Sequence, residues 1–292
     1  MRQVLIRRLV PCLGSAFVFC QLAGGSWLWA EEKVKPEELV AKSLEALGTP
    51  EARAAVKTRV MSGEGSMGFV IGQTGQLNGR AQFASDAERA RFEWRFGHPD
   101  YDSDQLVFDG KKVLVGDTRP GVRSSLAMFI NDYAPELLKE GILGGVTNVG
   151  WALSSDRKLR LKYRGLKELR GRKVHVFRYQ SAGSSRLHID LGFDPETYRH
   201  VVTEYSLNIP GSTATARPKG LYGQSDTLQS DVYWRASEEF DDFRPVDGIT
   251  LPHAYKLRVA FEGRAILITE WKAQFSEVKH NQALGADVFT LH

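Results

Sequence analysis

The side chains of this sequence that could do chemistry are its histidines, a few close carboxylates and one run of basic residues. His98, His175, His188, His200, His253, His280 and His292 never fall at the close spacing with which a helix offers two imidazoles to zinc. His188 and Asp190 would share one face of a strand, which suits a surface pair; a metal centre needs further ligands that the sequence does not indicate. Asp100, Asp102 and Asp104 begin like a calcium loop, but Gln105 takes the glycine position and Lys111 stands where the bidentate glutamate belongs. A solvated turn after Pro99 is the reading there. Gly183-Ser184-Ser185-Arg186 lacks the flanking glycines that make a nucleophile elbow, and Glu238, Glu239, Asp241 and Asp242 suggest no acid–base pair. Catalytic, metal and cofactor residues are therefore expected to be none, and the protein is expected not to be an enzyme.

The basic run is more informative. Arg160, Lys162 and Arg164 fall on one face of a strand whose other face takes Leu159, Leu161 and Tyr163, and Lys167, Arg170, Arg172 and Lys173 carry the charge onward. Such a stripe is either a wet outer face or a docking patch for an anionic partner or lipid headgroup.

The chain has 292 residues, with 39 Lys and Arg against 35 Asp and Glu. Residues 1–30 hold Arg2, Arg7 and Arg8 and no acid, which leaves 36 basic against 35 acidic residues in the remainder. A nearly neutral remainder tells against nucleic-acid binding, which needs concentrated positive charge. The basic start, the apolar residues 9–23 and the small residues after them read as a secretory signal peptide over 1–30, cleaved after Gly25 or Ala30. Cys12 and Cys20 both lie inside it, so the mature chain lacks thiols and must be stabilised by its core.

The elements follow from spacing. Pro36-Glu37-Glu38 opens a helix that Gly48 closes, with Leu39, Val40, Ser43, Leu44 and Leu47 on one stripe, and a second short helix starts near Thr49-Pro50. From Thr58 the period becomes two. Ala90, Phe92, Trp94 and Phe96 alternate with Arg91, Glu93 and Arg95, implying one buried and one wet face; Tyr255, Leu257, Val259 and Phe261 alternate with polar residues in the same way. Turn signals at Asp109-Gly110, Gly171-Arg172, Asp194-Pro195 and Glu262-Gly263 join these strands into an antiparallel meander. Glycines 63, 65, 68, 72, 75 and 79 mark bends or bulges in the first hairpin. A helical interruption carries Leu126, Phe129 and Ile130, and Pro135 restarts it. Residues 210–227 form a polar loop, and residues 31–292 a single domain.

Three local stretches carry a family resemblance: Val40-Ala41-Lys42-Ser43-Leu44-Glu45-Ala46-Leu47-Gly48, Leu106-Val107-Phe108-Asp109-Gly110-Lys111-Lys112-Val113, and Phe243-Arg244-Pro245-Val246-Asp247-Gly248-Ile249-Thr250-Leu251-Pro252. In that order, and with the ending Asn281-Gln282-Ala283-Leu284-Gly285-Ala286-Asp287-Val288-Phe289, the chain resembles the LolA/LolB-like superfamily of periplasmic lipoprotein carriers. The resemblance implies an α+β, mostly β fold: a long curved antiparallel sheet forming an incomplete barrel, with helices covering the concave side. It also implies a periplasmic, monomeric binder of a lipid or acylated lipoprotein, or a sensor of the same fold that meets an envelope protein. On the residues alone, a large sheet with one apolar face and few helices to cover it leaves room for a hydrophobic cavity, lined by Phe92, Trp94, Phe96, Leu126, Phe129 and Ile130.

Overall fold

The computed structural model describes residues 35–154, 160–211, 231–263 and 265–291. The expected signal peptide lies outside the described residues, as does all but the first two residues of the expected polar loop. Two helices lead. In α1 (Pro36–Leu47) the proline opens the first turn, Glu37 and Glu38 face the positive helix end, and the Gly48 N–H donates to the Leu44 carbonyl at 3.2 Å. In α2 (Pro50–Ala55) the Thr49 hydroxyl caps the Ala52 N–H at 3.2 Å.

Twelve strands follow: β1 (Thr58–Ile71), β2 (Gln76–Asp86), β3 (Ala90–His98), β4 (Tyr101–Phe108), β5 (Val113–Val115), β6 (Leu161–Leu169), β7 (Arg172–Tyr179), β8 (Leu187–Phe193), β9 (His200–Ile209), β10 (Val232–Val246), β11 (Ile249–Glu262) and β12 (Ile266–His280). They form one antiparallel sheet in the order β5-β4-β3-β2-β1-β12-β11-β10-β9-β8-β7-β6. Every pairing is between chain neighbours except β1 with β12, which joins the two ends of the chain near the middle of the sheet. The outermost strands β5 and β6 do not pair with each other, so the sheet is an unclosed barrel. This is the antiparallel meander that the alternation and turn signals imply, in the mostly β, α+β incomplete barrel that the resemblance implies.

Curvature has a local cause at Gly63. The β1–β12 register shifts between Ser62 and Gly63, and a Cβ at Gly63 would lie 1.9 Å from the Gln274 carbonyl oxygen, so only glycine lets the two backbones approach. On the inner face one cluster gathers Met61, Phe83, Phe92, Trp94, Leu106, Phe177, Leu191, Trp234, Phe240, Tyr255 and Phe275.

The inner face is covered by the stretch between β5 and β6. Its helical pieces are short: α3 (Ser125–Met128), a π-turn over Phe129–Tyr133, α4 (Glu136–Lys139) and single turns at Gly145–Thr147 and Ala152–Ser154. Leu126, Phe129, Ile130, Leu137, Ile142 and Trp151 are buried there. The predicted interruption is thus a covering segment, broken where Pro135 restarts the helix.

Arg91 and Glu93 were expected on a wet face, yet both are buried. The Arg91 guanidinium bonds to Glu93, to Gln105, and to the Val288 and Thr290 carbonyls, while Arg89 lies over the Phe289 ring at 4.2 Å. The C-terminal turn Ala286–Phe289 therefore packs on the outer face of β3 and shields it from water.

Candidate functional site

Two acidic side chains on inward-facing strand positions hold the covering segment. Alternation along β10 sets Trp234, Ala236, Glu238 and Phe240 inward, which forces a carboxylate into the core. Glu238 accepts hydrogen bonds from the Tyr205 and Tyr255 hydroxyls, the latter at 2.6 Å, and from the Gly144 N–H at 2.6 Å. Burial raises its pKa to about 7, against the lowering effect of those three donors. Gly144 itself has φ of +79°, and a Cβ there would meet the Phe92 ring at 2.4 Å.

The second carboxylate is Asp104, inward on β4 beside Leu106. It accepts from Tyr101, from Ser124 and from the Trp271 indole N–H at 2.7 Å. The Ser124 hydroxyl oxygen also accepts the Ala127 N–H at 3.0 Å, capping α3. Burial raises the Asp104 pKa, opposed by these same donors. Further ties run from Arg59 to the Val146 carbonyl at 2.8 Å, from Val149 N–H to Ser85 at 3.0 Å, and from Tyr179 and Ser181 to Glu140 at 2.7 and 2.8 Å. The covering segment is therefore fastened along its length by polar groups. The solvated turn expected after Pro99 holds at Asp100; Asp102 is exposed but already in β4, and Asp104 is buried. The overlooked signal in both cases is strand parity: each carboxylate falls in step with large apolar residues.

Of the six residues proposed to line a cavity, five share one buried core and Phe96 packs at its margin. Phe92 and Trp94 meet Phe83 edge-on at centroid distances of 4.8 and 5.0 Å, and Trp94 stacks near Tyr255. Phe129 lies 5.6 Å from Trp234. Leu126 and Ile130 are fully buried in the same core, whereas Phe96 is only partly buried and packs against Tyr101. Leu126, Phe129 and Ile130 thus belong to the covering segment, and Phe92 meets it at Gly144.

Open space lies at one end of the sheet. A cleft of about 710 Å³ runs between the β1–β2 hairpin tip, residues 118–125 and the start of β12. Met67, Phe69, Leu77, Val122, Leu267 and Trp271 give it apolar walls, and Thr118, Ser124, Ser125 and Thr269 give it hydroxyls. Its rim carries Arg119 paired with Asp100 and Arg123 paired with Asp117. Val70, Ile71 and Ile266, next in sequence to the wall residues, are about half exposed at 48%, 47% and 51%. Trp271 and Ser124 connect this cleft directly to the Asp104 hub.

The basic stripe also divides. Arg160, Lys162 and Arg164 are all exposed on or beside the edge strand β6, but Arg164 lies with Gly165, whose φ is +90°, in a register shift between Tyr163 and Leu166. Arg160 and Lys162 border a cleft of about 330 Å³ with Arg178, His188, Ser184 and Ser185. His188 and Asp190 do share a strand face, and both contact Arg178. No group of three or more potential metal ligands occurs among the described residues.

No protein-family profile matches this chain, and no curated protein matches it. Among solved structures it is similar to a LolA superfamily protein from Nitrosomonas europaea, at 12% identity over 88% of this chain and 98% of that one, with a TM-score of 0.45. It is also similar to a domain described as an outer membrane lipoprotein-sorting protein from Vibrio parahaemolyticus, at 14% identity over 86% and 97%, with a TM-score of 0.41. A chain of the Pseudomonas aeruginosa MucA/MucB complex is similar at 10% identity over 84% and 99%, with a TM-score of 0.21.

Proposed function

We propose that this protein is a periplasmic, non-catalytic carrier or binder of an amphipathic lipid or of the acyl chain of a lipoprotein. The observation that carries the reading is the cleft of about 710 Å³ at one end of the sheet, whose lining sets Met67, Phe69, Leu77, Val122, Leu267 and Trp271 among polar residues, near the exposed Val70, Ile71 and Ile266. That volume lies within the range of small-molecule sites. An acyl chain losing roughly 200 Å² of apolar surface to water there would gain about 5 kcal/mol. Deeper entry, to Phe92, Trp94, Leu126, Phe129 and Ile130, requires the covering segment to move aside. Its short helical pieces give it places to bend, and its polar ties to Asp104, Glu238 and Glu140 set what must break first. The periplasmic placement rests on the basic and apolar N-terminal sequence.

The test is lipid extraction and mass spectrometry of the purified mature protein, followed by titration with a spin-labelled fatty acid. The expected results are copurified lipid and saturable binding that Phe69→Asp and Leu77→Asp abolish while the fold survives. Binding unaffected by both changes would remove the cleft as the site. A lipid-free protein that binds no fatty acid but captures a specific envelope protein would favour the second reading, a sensor whose fastened interior never takes cargo.

A further inference from the structure

We infer that the cleft on the outer face of β6, β7 and β8 is a second binding site, for a phosphate group. It lies at the β6 edge of the sheet, remote in strand order from the apolar cleft between β1, β4 and β12. Its polar lining is Arg160, Lys162, Arg178, Tyr179, Gln180, Ser184, Ser185 and His188, with no carboxylate among the described residues of the wall. Such a wall has many donors, and with Arg178 balanced by Asp190 its net positive charge comes from Arg160 and Lys162.

The inner wall of the cleft is organised. Arg178 is held by a two-pronged contact with Asp190, Nε to Oδ1 at 2.5 Å and Nη2 to Oδ2 at 2.7 Å. That leaves Nη1, which sits 3.2 Å from the Nδ1 of His188. A guanidinium can only donate, so Nδ1 must accept, and the ring proton belongs on Nε2. His188 is thereby fixed as an N–H donor. The Ser184 hydroxyl oxygen accepts the Leu187 N–H at 3.2 Å, which leaves its own hydrogen free to donate. Arg160 and Lys162 complete the ring; neither has an ion-pair partner among the described residues, while most other arginines of the sheet do. Donors from three strands and one turn suit a tetrahedral oxyanion with several acceptor oxygens better than a planar carboxylate. A cleft of about 330 Å³ holds a phosphate with its attached glycerol or sugar and is too small for a folded partner.

The source of that phosphate, a soluble ester or a lipid headgroup, is decided by probes. The mature protein is titrated with inorganic phosphate and with glycerol 3-phosphate, following the His188 ring protons by NMR. Separately, it is sedimented with phosphatidylcholine vesicles with and without phosphatidylglycerol, at low and raised salt. Saturable shifts at His188 that weaken about tenfold in Arg160→Glu/Lys162→Glu, and persist in the control Lys57→Glu, are the expected result. Added cosedimentation with phosphatidylglycerol, lost in the same double variant and at raised salt, assigns the phosphate to a membrane lipid. Soluble binding without cosedimentation assigns it to a free ester. Absence of saturation, or equal binding by the wild type and the double variant with unchanged thermal unfolding, overturns the site. The apolar cleft is untouched by these changes, so failure here leaves acyl binding standing, and the reverse also holds.

Discussion

Glu238 shows how one side chain couples the interior to pH. Below its ordinary value of 4.5 the carboxyl is protonated in both the folded and unfolded chain; between 4.5 and about 7 only the folded chain keeps the proton. Stability contributed by this site therefore falls as pH rises through that window, and above about 7 the full penalty is about 3 kcal/mol. Glu238→Gln should remove the dependence: its stability relative to wild type, from urea unfolding, should rise by that amount across the window. A pH-independent difference would place the proton elsewhere. His200 acts in the opposite sense. Burial lowers its pKa to about 3, so the unfolded chain alone takes up a proton below 6.5 and stability falls on acidification. Where the two windows overlap they oppose each other, so the Gln variant should lose stability towards acid more steeply than wild type.

At the scale of elements, the covering segment depends on backbone geometry that side chains alone do not reveal. Gly144→Ala would add a methyl 2.4 Å from the Phe92 ring at a residue with positive φ. A loss of about 2–4 kcal/mol is expected, seen as a lower urea midpoint with an unchanged slope. A loss below about 0.5 kcal/mol would mean that this turn does not hold the segment in place. Much of the fold was legible in local pattern: α1 from Pro36 and Gly48, the hairpins from Asp109-Gly110 and Gly171, the sheet from alternation at Phe92 and Trp94. What was not legible depends on contacts between residues far apart in the chain. Arg91 reads as solvated until the C-terminal turn covers it, and Glu238 reads as one of four scattered carboxylates until the fold points it at Tyr205 and Tyr255. Of the six residues expected at one cavity, Leu126, Phe129 and Ile130 belong to a covering segment whose path no local pattern specifies, and they share one core with Phe92 and Trp94.

At the scale of the whole molecule, the β1–β12 ladder is the decisive join. Arg59 pairs with His280, so the centre of the sheet forms only after nearly the entire described chain is in place. Non-local pairing of this kind slows folding, and refolding is expected on a millisecond-to-second scale. Gly63→Ala, which would drive a methyl into the Gln274 carbonyl, should destabilise by several kcal/mol and slow refolding. If stopped-flow traces show refolding in microseconds, the ladder is not the limiting step.

Trp94, Trp151, Trp234 and Trp271 are each at most 1% exposed and are spread across the core, from the Asp104 hub to the Phe129 contact. The described chain therefore carries four built-in optical gauges of its own dryness. Intrinsic fluorescence of the resting protein should be blue-shifted. Movement of the covering segment that admits water should redden the emission, whereas a hydrocarbon taking the water's place should leave its colour unchanged, so opening and filling can be told apart without any added label.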